Sequence, residues 1–469
     1  MSFLTRRIAI DREIGHVEGK GLKPTLGWPH LVALGIGAIV GTGIYVLPGE
    51  AAGLAGPGMM LSFLIAGAVC AAAALCYAEM ATLMPRAGSA YTYSYAVMGE
   101  TVAWIVGWSL ILEYTVVCAA VAVGWAGYAS GLILTWWPEA PQQFLKGPEA
   151  GGVVNLPAVF IAMVVAGLLA LGTRESARVN FVLVLVKLVA LAGFIVLALP
   201  AFNGAHFTPF MPEGFWAHEV DGVKFGVMGA ASIIFFAFYG FDAISTASEE
   251  TRNPARDLTI GIVGSMIICT LIYMAVAAAA IGAMPPAQFA RSTEPLAFII
   301  RELGHRDAAR LIGLAAIIAM PTVIMVFMYG QTRVFFAMAR DGLLPRGLAK
   351  VHSRLGTPVA VTLFTGLIAA VLGGVLPLGR IVSVANAGTL AAFIATAIAM
   401  MLLRVQQPAR PRRFRTPLWW LVGPFAVLGC VYLFAGLSTF TMIVFVIWNV
   451  IGLLAYLLYF RTTSDLAKA

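Results

Sequence analysis

Residues 35–44 read GIGAIVGTGI and place four glycines within nine positions of an otherwise apolar segment. Glycine adopts backbone angles that other residues avoid and lets two backbones approach closely. In lipid every backbone polar group needs a partner inside the protein, so a break in a helix is tolerated only beside protein or a water-filled cavity. The stretch therefore predicts a membrane helix that is interrupted at Gly41-Thr42-Gly43, although Gly37 and Gly41 alone would also suit close helix packing.

A second interruption is predicted at Phe238-Tyr239-Gly240-Phe241-Asp242, which lies inside another apolar segment. At the first break, freed N–H groups and the positive end of the following half-helix suit a carboxylate. At the second break, the carbonyl groups that end the preceding half-helix suit an ammonium group. The two breaks thus predict a site for a zwitterion such as an α-amino acid, whereas a polyamine has no carboxylate for the first break.

The composition is typical of a polytopic membrane protein, because 60% of the 469 residues are hydrophobic and only 11% are charged. No long apolar stretch precedes residue 28, so we expect the first apolar segment to stay in place as a helix and not to be cleaved as a signal. A spanning helix needs about 20 apolar residues. Twelve spans are predicted, near residues 28–48, 58–83, 100–132, 155–173, 179–200, 225–248, 258–283, 310–338, 358–376, 381–403, 417–438 and 440–460.

Basic residues are distributed unequally over the two sides of these spans. Of the 30 Lys and Arg residues, 22 fall in tails and loops on the side of the N-terminus and seven on the other side. This bias predicts that the terminal tails, 1–27 and 461–469, are cytoplasmic and that the protein crosses the cytoplasmic (inner) cell membrane many times. The Arg-rich stretches 333–354 and 404–415 are therefore assigned to topology and to contact with anionic lipid, and not to nucleic acid.

The two breaks fall in spans 1 and 6, so five helices separate equivalent positions. Span 1 runs from inside to outside and span 6 runs in the reverse direction, which relates the two halves by an axis in the membrane plane. The predicted fold is an all-α integral membrane protein built from a five-plus-five inverted repeat. Its parts are a first repeat at 28–200, an inverted second repeat at 225–403 and two extra helices at 417–460.

Charged residues inside the spans are few, and they are functional candidates because burying a charge in a membrane is costly. Glu113 lies about 12 residues into span 3, roughly 18 Å deep at the rise of a helix. Lys187 lies well inside span 5, and snorkelling of its ammonium to an interface is the alternative to a functional role. Asp242 follows the second break, where it either binds substrate or caps the next half-helix. Glu79 is nearer the inner end of span 2, where an interfacial position accounts for it.

Four sequence motifs, spread over the first ten spans, make a family resemblance specific. Together they resemble the signatures of the amino acid–polyamine–organocation (APC) superfamily of permeases, and the chain is most similar to its cationic amino acid transporter branch. The motifs are Gly37-Ala38-Ile39-Val40-Gly41-Thr42-Gly43-Ile44, Pro85-Arg86-Ala87-Gly88-Ser89-Ala90-Tyr91, Phe241-Asp242 followed by Glu249-Glu250-Thr251-Arg252-Asn253-Pro254, and Ala339-Arg340-Asp341-Gly342-Leu343-Leu344-Pro345.

The resemblance implies the inverted repeat of the LeuT-type fold, with helices 1 and 6 broken, and transport by alternating access. It implies that the backbone at the first break binds the substrate carboxylate, that the backbone at the second break binds the α-amino group, and that Phe236 is a gate. The predicted substrate-binding residues are Ile39, Gly41, Thr42, Gly43, Glu113, Phe236, Ala237, Phe238, Asp242, Tyr273 and Met320.

Lys187 matches a lysine that occurs in span 5 of proton-coupled members of the family. Removal from water disfavours the charged form of a lysine, so its proton can be gained and lost near neutrality. We therefore hypothesise that Lys187 is the proton-coupling group, and that its ammonium occupies the place where related transporters hold a sodium ion.

The predicted function is secondary active transport of amino acids, with proton symport as the mode and amino acid exchange as the alternative. The substrate is a cationic or a small neutral amino acid, because Glu113 either accepts the distal cation of lysine, arginine or ornithine or neutralises Lys187. The predicted partners are the amino acid, the proton and the lipid bilayer. The sequence leaves open whether a small accessory membrane subunit takes part.

Other functional classes are disfavoured. The six histidines lie in tails, loops or span ends, and the five cysteines have neither a metal-ligand spacing nor a disulfide framework. We therefore predict no enzyme activity, no catalytic residue, no cofactor and no metal site. A receptor or scaffold would need a soluble output domain, for which the loops are too short.

Overall fold

A computed structural model describes residues 6–8, 26–86, 88–171, 177–248, 251–290, 292–349, 352 and 357–460. Most of both predicted tails, Ala87 of one motif and Glu249-Glu250 of another lie outside these ranges. Nearly all of the regular structure in the described chain is helical, as the composition predicts.

The α-helices, in chain order, are α1 (Trp28–Ile39), α2 (Thr42–Tyr45), α3 (Leu47–Ala55), α4 (Met59–Leu83), α5 (Ser89–Val97), α6 (Glu100–Trp136), α7 (Leu156–Ala170), α8 (Ala177–Ala198), α9 (Val227–Ile234), α10 (Phe241–Thr246), α11 (Pro254–Ala283), α12 (Pro286–Phe289), α13 (Pro295–Glu302), α14 (Arg306–Arg340), α15 (Val359–Val375), α16 (Leu378–Gln406), α17 (Trp419–Ala435) and α18 (Thr439–Ala455). Short 3₁₀ turns lie at Gly56–Gly58, Gln142–Phe144, Pro148–Ala150, Leu199–Ala201, Gly204–Phe207, Phe235–Ala237 and Arg346–Ala349, and a π-turn lies at Tyr456–Phe460.

Eight helical segments of the described chain are long and apolar enough to cross a membrane. They are Leu47–Leu83, Glu100–Trp136, Phe181–Ala201, Val227–Thr246, Pro254–Ala283, Arg306–Arg340, Leu378–Gln406 and Thr439–Phe460. Shorter apolar helices occupy Trp28–Ile39, Leu156–Ala170, Val359–Val375 and Trp419–Ala435. Because these four are too short by the length criterion alone, the total of twelve spans stays a prediction.

One element in the described chain is not helical. Strands β1 (His218–Val220) and β2 (Val223–Phe225) form an antiparallel hairpin in which His218 pairs with Phe225. The predicted fold is all-α, with one span ending near residue 200 and the next beginning near residue 225, and the hairpin is the exception to it. It leads directly into α9 and so fixes where that half-helix begins.

The first helical segments lie at the centre of the bundle. Helix α1 packs against α8, α10, α11 and α14, while α6 packs against α14 and α16. Close contact depends on glycine: a Cβ on Gly35 would lie 2.5 Å from Ser265 Oγ of α11 and 2.7 Å from Ile244 Cδ1 of α10. Packing through small residues is what joins helices in lipid, where burial of apolar surface gives little driving force.

Helices α17 and α18 lie at the periphery. Large apolar side chains on them are exposed, including Phe425, Leu428, Ile443 and Val446. In a membrane protein such a face suits the lipid chains, so these two helices form part of the outer wall and do not contribute to the central bundle.

The C-terminal end of α4 is joined to the C-terminal end of α16, and to the loop after it, by an ion-pair network. Glu79 is 1% exposed, and its carboxylate lies 2.7 Å from Arg404 Nε and 3.0 Å from Arg412 Nε. The backbone N–H of Thr416 donates a hydrogen bond to the same carboxylate at 2.8 Å. The interfacial position expected for Glu79 stays a prediction, and the structure adds that the loop after α16 folds back over its carboxylate.

Candidate functional site

The first predicted break is present between α1 and α2. Helix α1 ends at Ile39 and α2 begins at Thr42, with Gly41 in a non-helical conformation at φ −156° and ψ −137°. The N–H groups that begin a helix have no partner within it. The carbonyl of Ile39 at the other side of the break accepts a hydrogen bond from Tyr273 Oη at 2.8 Å. Ile44 N and Tyr45 N both donate to Gly41 O at 3.1 Å, so the N–H groups of Thr42 and Gly43 would be the donors for a carboxylate at this break.

The second predicted break separates α9 from α10. Helix α9 ends at Ile234, continues as a 3₁₀ turn and reaches Gly240 at φ +117°, a left-handed conformation that favours glycine. Two carbonyl groups at the end of α9 already have a partner: Asn386 Nδ2 of α16 donates to Ser232 O at 2.7 Å and to Ile233 O at 3.3 Å. Phe235 O also accepts a hydrogen bond, from Phe238 N at 3.1 Å, so acceptors for an ammonium group would have to come from the rest of the 3₁₀ turn.

The two breaks touch each other. A Cβ on Gly43 would lie 2.5 Å from Ala237 Cα, and a Cβ on Gly240 would lie 3.1 Å from the Ala38 carbonyl carbon. Only residues without a side chain permit this approach of two backbones. The donors of the first break and the acceptors of the second therefore belong to two backbones that are in direct contact.

Side chains from two other helices, α11 and α14, lie against this region. Thr42 Oγ1 donates a hydrogen bond to Met320 Sδ of α14 at 3.9 Å, and the rings of Phe238 and Tyr273 are 5.3 Å apart. A Cβ on Gly41 would lie 2.8 Å from Val323 Cγ2. The side chains named here are apolar apart from the hydroxyls of Thr42 and Tyr273.

Lys187 is completely buried in α8. Its Nζ donates hydrogen bonds to Gly37 O of α1 at 2.8 Å and to Thr322 Oγ1 of α14 at 3.0 Å. Snorkelling would place the ammonium at an interface. The contacts instead hold it inside the bundle, beside the first break.

The side chain of Asp242 hydrogen bonds to the backbone of the break that precedes it. One carboxylate oxygen accepts a hydrogen bond from Gly240 N at 3.0 Å, and the other accepts one from Tyr114 Oη of α6 at 2.9 Å. A carboxylate in the first turn also interacts favourably with the helix dipole. These contacts match the capping alternative of the sequence analysis.

Glu113 is completely buried in α6, where a Cβ on Gly388 of α16 would lie 2.9 Å from the Glu113 Cβ. Neither of its carboxylate oxygens has a hydrogen-bond partner in the described part of the chain. In the described chain Glu113 therefore makes no hydrogen bond to Lys187. A buried polar group without a partner is costly, so such a group commonly marks a functional position.

Comparison with known proteins identifies the family. The model of the amino acid permease family matches residues 26–460. The chain belongs to the amino acid permease family. The branched-chain amino acid permease BcaP of Bacillus subtilis (strain 168) is 43% identical over 466 residues, which cover 98% of both chains. The methylthioribose transporter of the same organism is 38% identical over 471 residues and matches over the full length of both chains.

More distant relatives support the branch that the motifs indicate. Cationic amino acid transporter 2 of Arabidopsis thaliana is 37% identical over 86% of this permease, and cationic amino acid transporter 4 of Homo sapiens is 34% identical over 83%. The permease spans 64% and 61% of these two longer proteins. It is thus an APC-superfamily permease related to the cationic amino acid transporter branch, embedded in a membrane and transporting amino acids, and it is not an enzyme.

The permease brings most of the predicted site residues into one region, and it adds two that the sequence analysis missed. Ile39, Gly41, Thr42, Gly43, Phe236, Ala237, Phe238, Tyr273 and Met320 belong to the two breaks or contact them. Glu113 and Asp242 lie on α6 and α10, and Asp242 contacts α6 through Tyr114. The missed residues are Asn386 and Tyr114. An asparagine inside an apolar span is a signal that could have found Asn386.

We expect Asp242→Asn to retain transport within about threefold, because the amide keeps an acceptor for Gly240 N. Asp242→Ala should instead destabilise the permease by about 2 kcal/mol, because it leaves two buried donors unpaired. Uptake in proteoliposomes and thermal unfolding in detergent measure the two effects. Asp307→Ala is the control, since its pair with Arg310 at 3.1 Å is exposed and should contribute less than about 1 kcal/mol. A folded but inactive asparagine variant would assign the carboxylate to the substrate.

Proposed function

We propose that this permease is a proton-coupled symporter that carries neutral, aliphatic amino acids across the cytoplasmic membrane. The single observation that carries the proposal is the contact between the two helix breaks, with Gly43 against Ala237. Donors at the start of α2 would bind the substrate carboxylate, and acceptors of the 3₁₀ turn Phe235–Ala237 would bind its ammonium. Twelve spans in an inverted repeat, with both termini cytoplasmic, form part of the same proposal.

The aliphatic substrate is supported by the side chains around the breaks. Met320 is completely buried, Val323 is 3% exposed, and both lie beside the first break. Apolar side chains of this kind offer no partner to a charged side chain, and they favour a substrate with methyl or methylene groups. The name of the relative that is 43% identical, a branched-chain amino acid permease, points in the same direction.

Proton coupling is supported by the position of Lys187. Its ammonium bonds to the carbonyl of Gly37 in α1 and to Thr322 in α14, so a change in its charge would alter the contact between α1 and two neighbouring helices. Buried ionisable groups with such contacts mark proton pathways in membrane proteins. Exchange without a proton is the alternative mode.

The test is uptake by proteoliposomes that contain the purified permease. We expect labelled leucine to accumulate when the outside is more acidic than the inside. Isoleucine and valine should compete with it at least about tenfold better than arginine, lysine or methylthioribose. The reason is that a charged group left without a partner costs over about 1.4 kcal/mol. Counterflow without any accumulation in a pH gradient would identify an exchanger. Preferred uptake of arginine would assign Glu113 to the substrate side chain, and Glu113→Gln would then lower arginine uptake alone.

A further inference from the structure

Lys187 contacts both halves of the interrupted first span. Its Nζ donates to Gly37 O in α1, the half before the break, at 2.8 Å. Its main-chain carbonyl accepts a hydrogen bond from the hydroxyl of Tyr45 in α2, the half after the break, at 3.2 Å. The ammonium also donates a hydrogen bond to Thr322 Oγ1, and it interacts electrostatically with the thiol of Cys269 on α11. Lys187 therefore binds the first half through its side-chain ammonium and the second half through its main-chain carbonyl. Only the contact with the first half depends on the charge of the side chain.

Tyr45 is held from a second direction. The hydroxyl of Tyr128 in α6 donates to the main-chain carbonyl of Tyr45 at 2.6 Å, and the two rings meet edge to face with centroids 6.0 Å apart. Both tyrosines are completely buried. The half-helix after the break is thus fastened to α6 and to α8 at one residue, independently of the lysine ammonium.

Residues that connect α11 to α14 pack against the same part of α6. A Cβ on Gly127 would lie 2.7 Å from Thr293 O, and Gly131 packs against the carboxylate of Glu294, which pairs with Arg301 at 2.7 Å. On α3, a Cβ on Gly49 would lie 3.2 Å from Ser292 O. Residues 289 and 292–294 therefore lie against α3 and the end of α6, and Tyr128 lies between the two contact points on α6.

We propose that Tyr45 and Tyr128 form an outer latch, which holds the second half of the first span closed while the contact of Lys187 with the first half is released. The proposal rests on the proposed proton-coupled transport and adds two positioning residues to it. Loss of the proton from Nζ would weaken its bond to Gly37 O, because a charge-assisted hydrogen bond is stronger than a neutral one. The bonds of Tyr45 do not involve that proton, so α2 and α3 would stay in place while α1 moves.

The latch explains how one titrating group can move one half of a span and not the other. If both halves moved together, the site would open on both sides, and substrate would leak down its gradient without the proton. Coupling requires that the two sides never open at once, which in turn requires a difference in free energy between the two movements. Tyr45 supplies that difference because its contacts do not depend on the charge of Lys187.

Tyr45→Phe and Tyr128→Phe test the latch, since each removes one hydroxyl and keeps the ring. We expect both variants to retain counterflow of labelled leucine. Accumulation in a pH gradient should fall at least about fivefold, as loss of one buried hydrogen bond implies, and its dependence on external pH should flatten. A loss of packing alone would lower both activities together and would leave the pH profile unchanged.

A second measurement reports the outer side directly. The five native cysteines are buried, so a single cysteine at Ala290, which packs 3.6 Å from the Cβ position of Gly53, can be labelled with an impermeant maleimide. We expect labelling to be about fivefold faster in the two phenylalanine variants than in the parent. Tyr93→Phe is the matched control, because Tyr93 is equally buried and its hydroxyl has no hydrogen-bond partner in the described chain.

The outcomes separate the latch from the proposed function. Wild-type accumulation and labelling in both phenylalanine variants, with accumulation lost in Lys187→Met, would overturn the latch alone. Failure of the unmodified permease to accumulate leucine, with or without counterflow, would overturn the proposed symport and with it the latch.

Discussion

Lys187→Met is expected to abolish accumulation of substrate while counterflow continues. A pH gradient of about two units can drive about 100-fold accumulation of a substrate that moves with one proton, because each unit is worth about 1.4 kcal/mol. Without a group that gains and loses the proton, the internal concentration should stop at the external one. The measurement is the steady-state ratio of labelled leucine inside and outside proteoliposomes, with the membrane potential held at zero.

The structure explains why methionine is the informative substitution. Methionine fills a volume like that of lysine but donates no hydrogen bond, so Gly37 O and Thr322 Oγ1 both lose the contact that Lys187 Nζ makes at 2.8 and 3.0 Å. Lys187→Arg separates charge from titration, because a guanidinium stays protonated in proteins. We expect the arginine variant to lose accumulation as well, whereas a requirement for charge alone would preserve it.

Lys224→Met is the matched control for this pair of variants. Lys224 lies in β2, outside the spans, and its Nζ donates to Ala435 O at 2.7 Å. In the described chain the hydrogen bond given for its ammonium goes to α17 and not to either break, so its loss should leave the accumulation ratio unchanged. Intact accumulation in Lys187→Met would show that the proton is carried by another group, and the buried carboxyl of Glu113 would be the next candidate.

The breaks could be predicted from the sequence because their signal is local. Glycines at 41, 43 and 240 stand inside apolar segments, and the structure interrupts the helices at Gly41 and Gly240, with Gly43 in the first turn of α2. A lysine in an apolar span is similarly conspicuous, and Lys187 is buried as predicted. In each of these cases the residue type conflicts with the surrounding lipid, and the conflict is visible without knowing any partner.

The partners themselves could not be predicted. Asn386 reaches carbonyl groups that lie 154 positions earlier in the chain, and Arg404 reaches Glu79 across 325 positions. Neither separation follows from helical periodicity, which shows only which face of a span is polar. The sequence predicts only an interfacial position for Glu79, because helical periodicity does not show that the loop after α16 folds back over its carboxylate.

Gly43→Ala is expected to lower the transport rate roughly 100-fold, because displacement of a bound group by about 1 Å has effects of that size. The added Cβ would lie 2.5 Å from Ala237 Cα, 2.8 Å from Ala237 Cβ and 3.3 Å from Ala237 O. The nearest atom belongs to the backbone of the second break, so no side-chain rotation relieves the overlap. The two breaks must move apart, which separates the carboxylate donors from the ammonium acceptors.

Initial rates of leucine counterflow at several concentrations test this prediction, together with thermal unfolding to show that the variant is folded. Gly167→Ala is the control, since Gly167 lies in α7 with no atom within 4 Å of its Cβ position. Alanine there should be neutral or should stabilise the helix by about 0.5–1 kcal/mol. The double variant Gly43→Ala with Ala237→Gly should remain impaired, because removing the Ala237 Cβ leaves the 2.5 Å contact with Cα in place. Recovery of the rate in that double variant would mean that the breaks tolerate separation and that their contact does not form the substrate site.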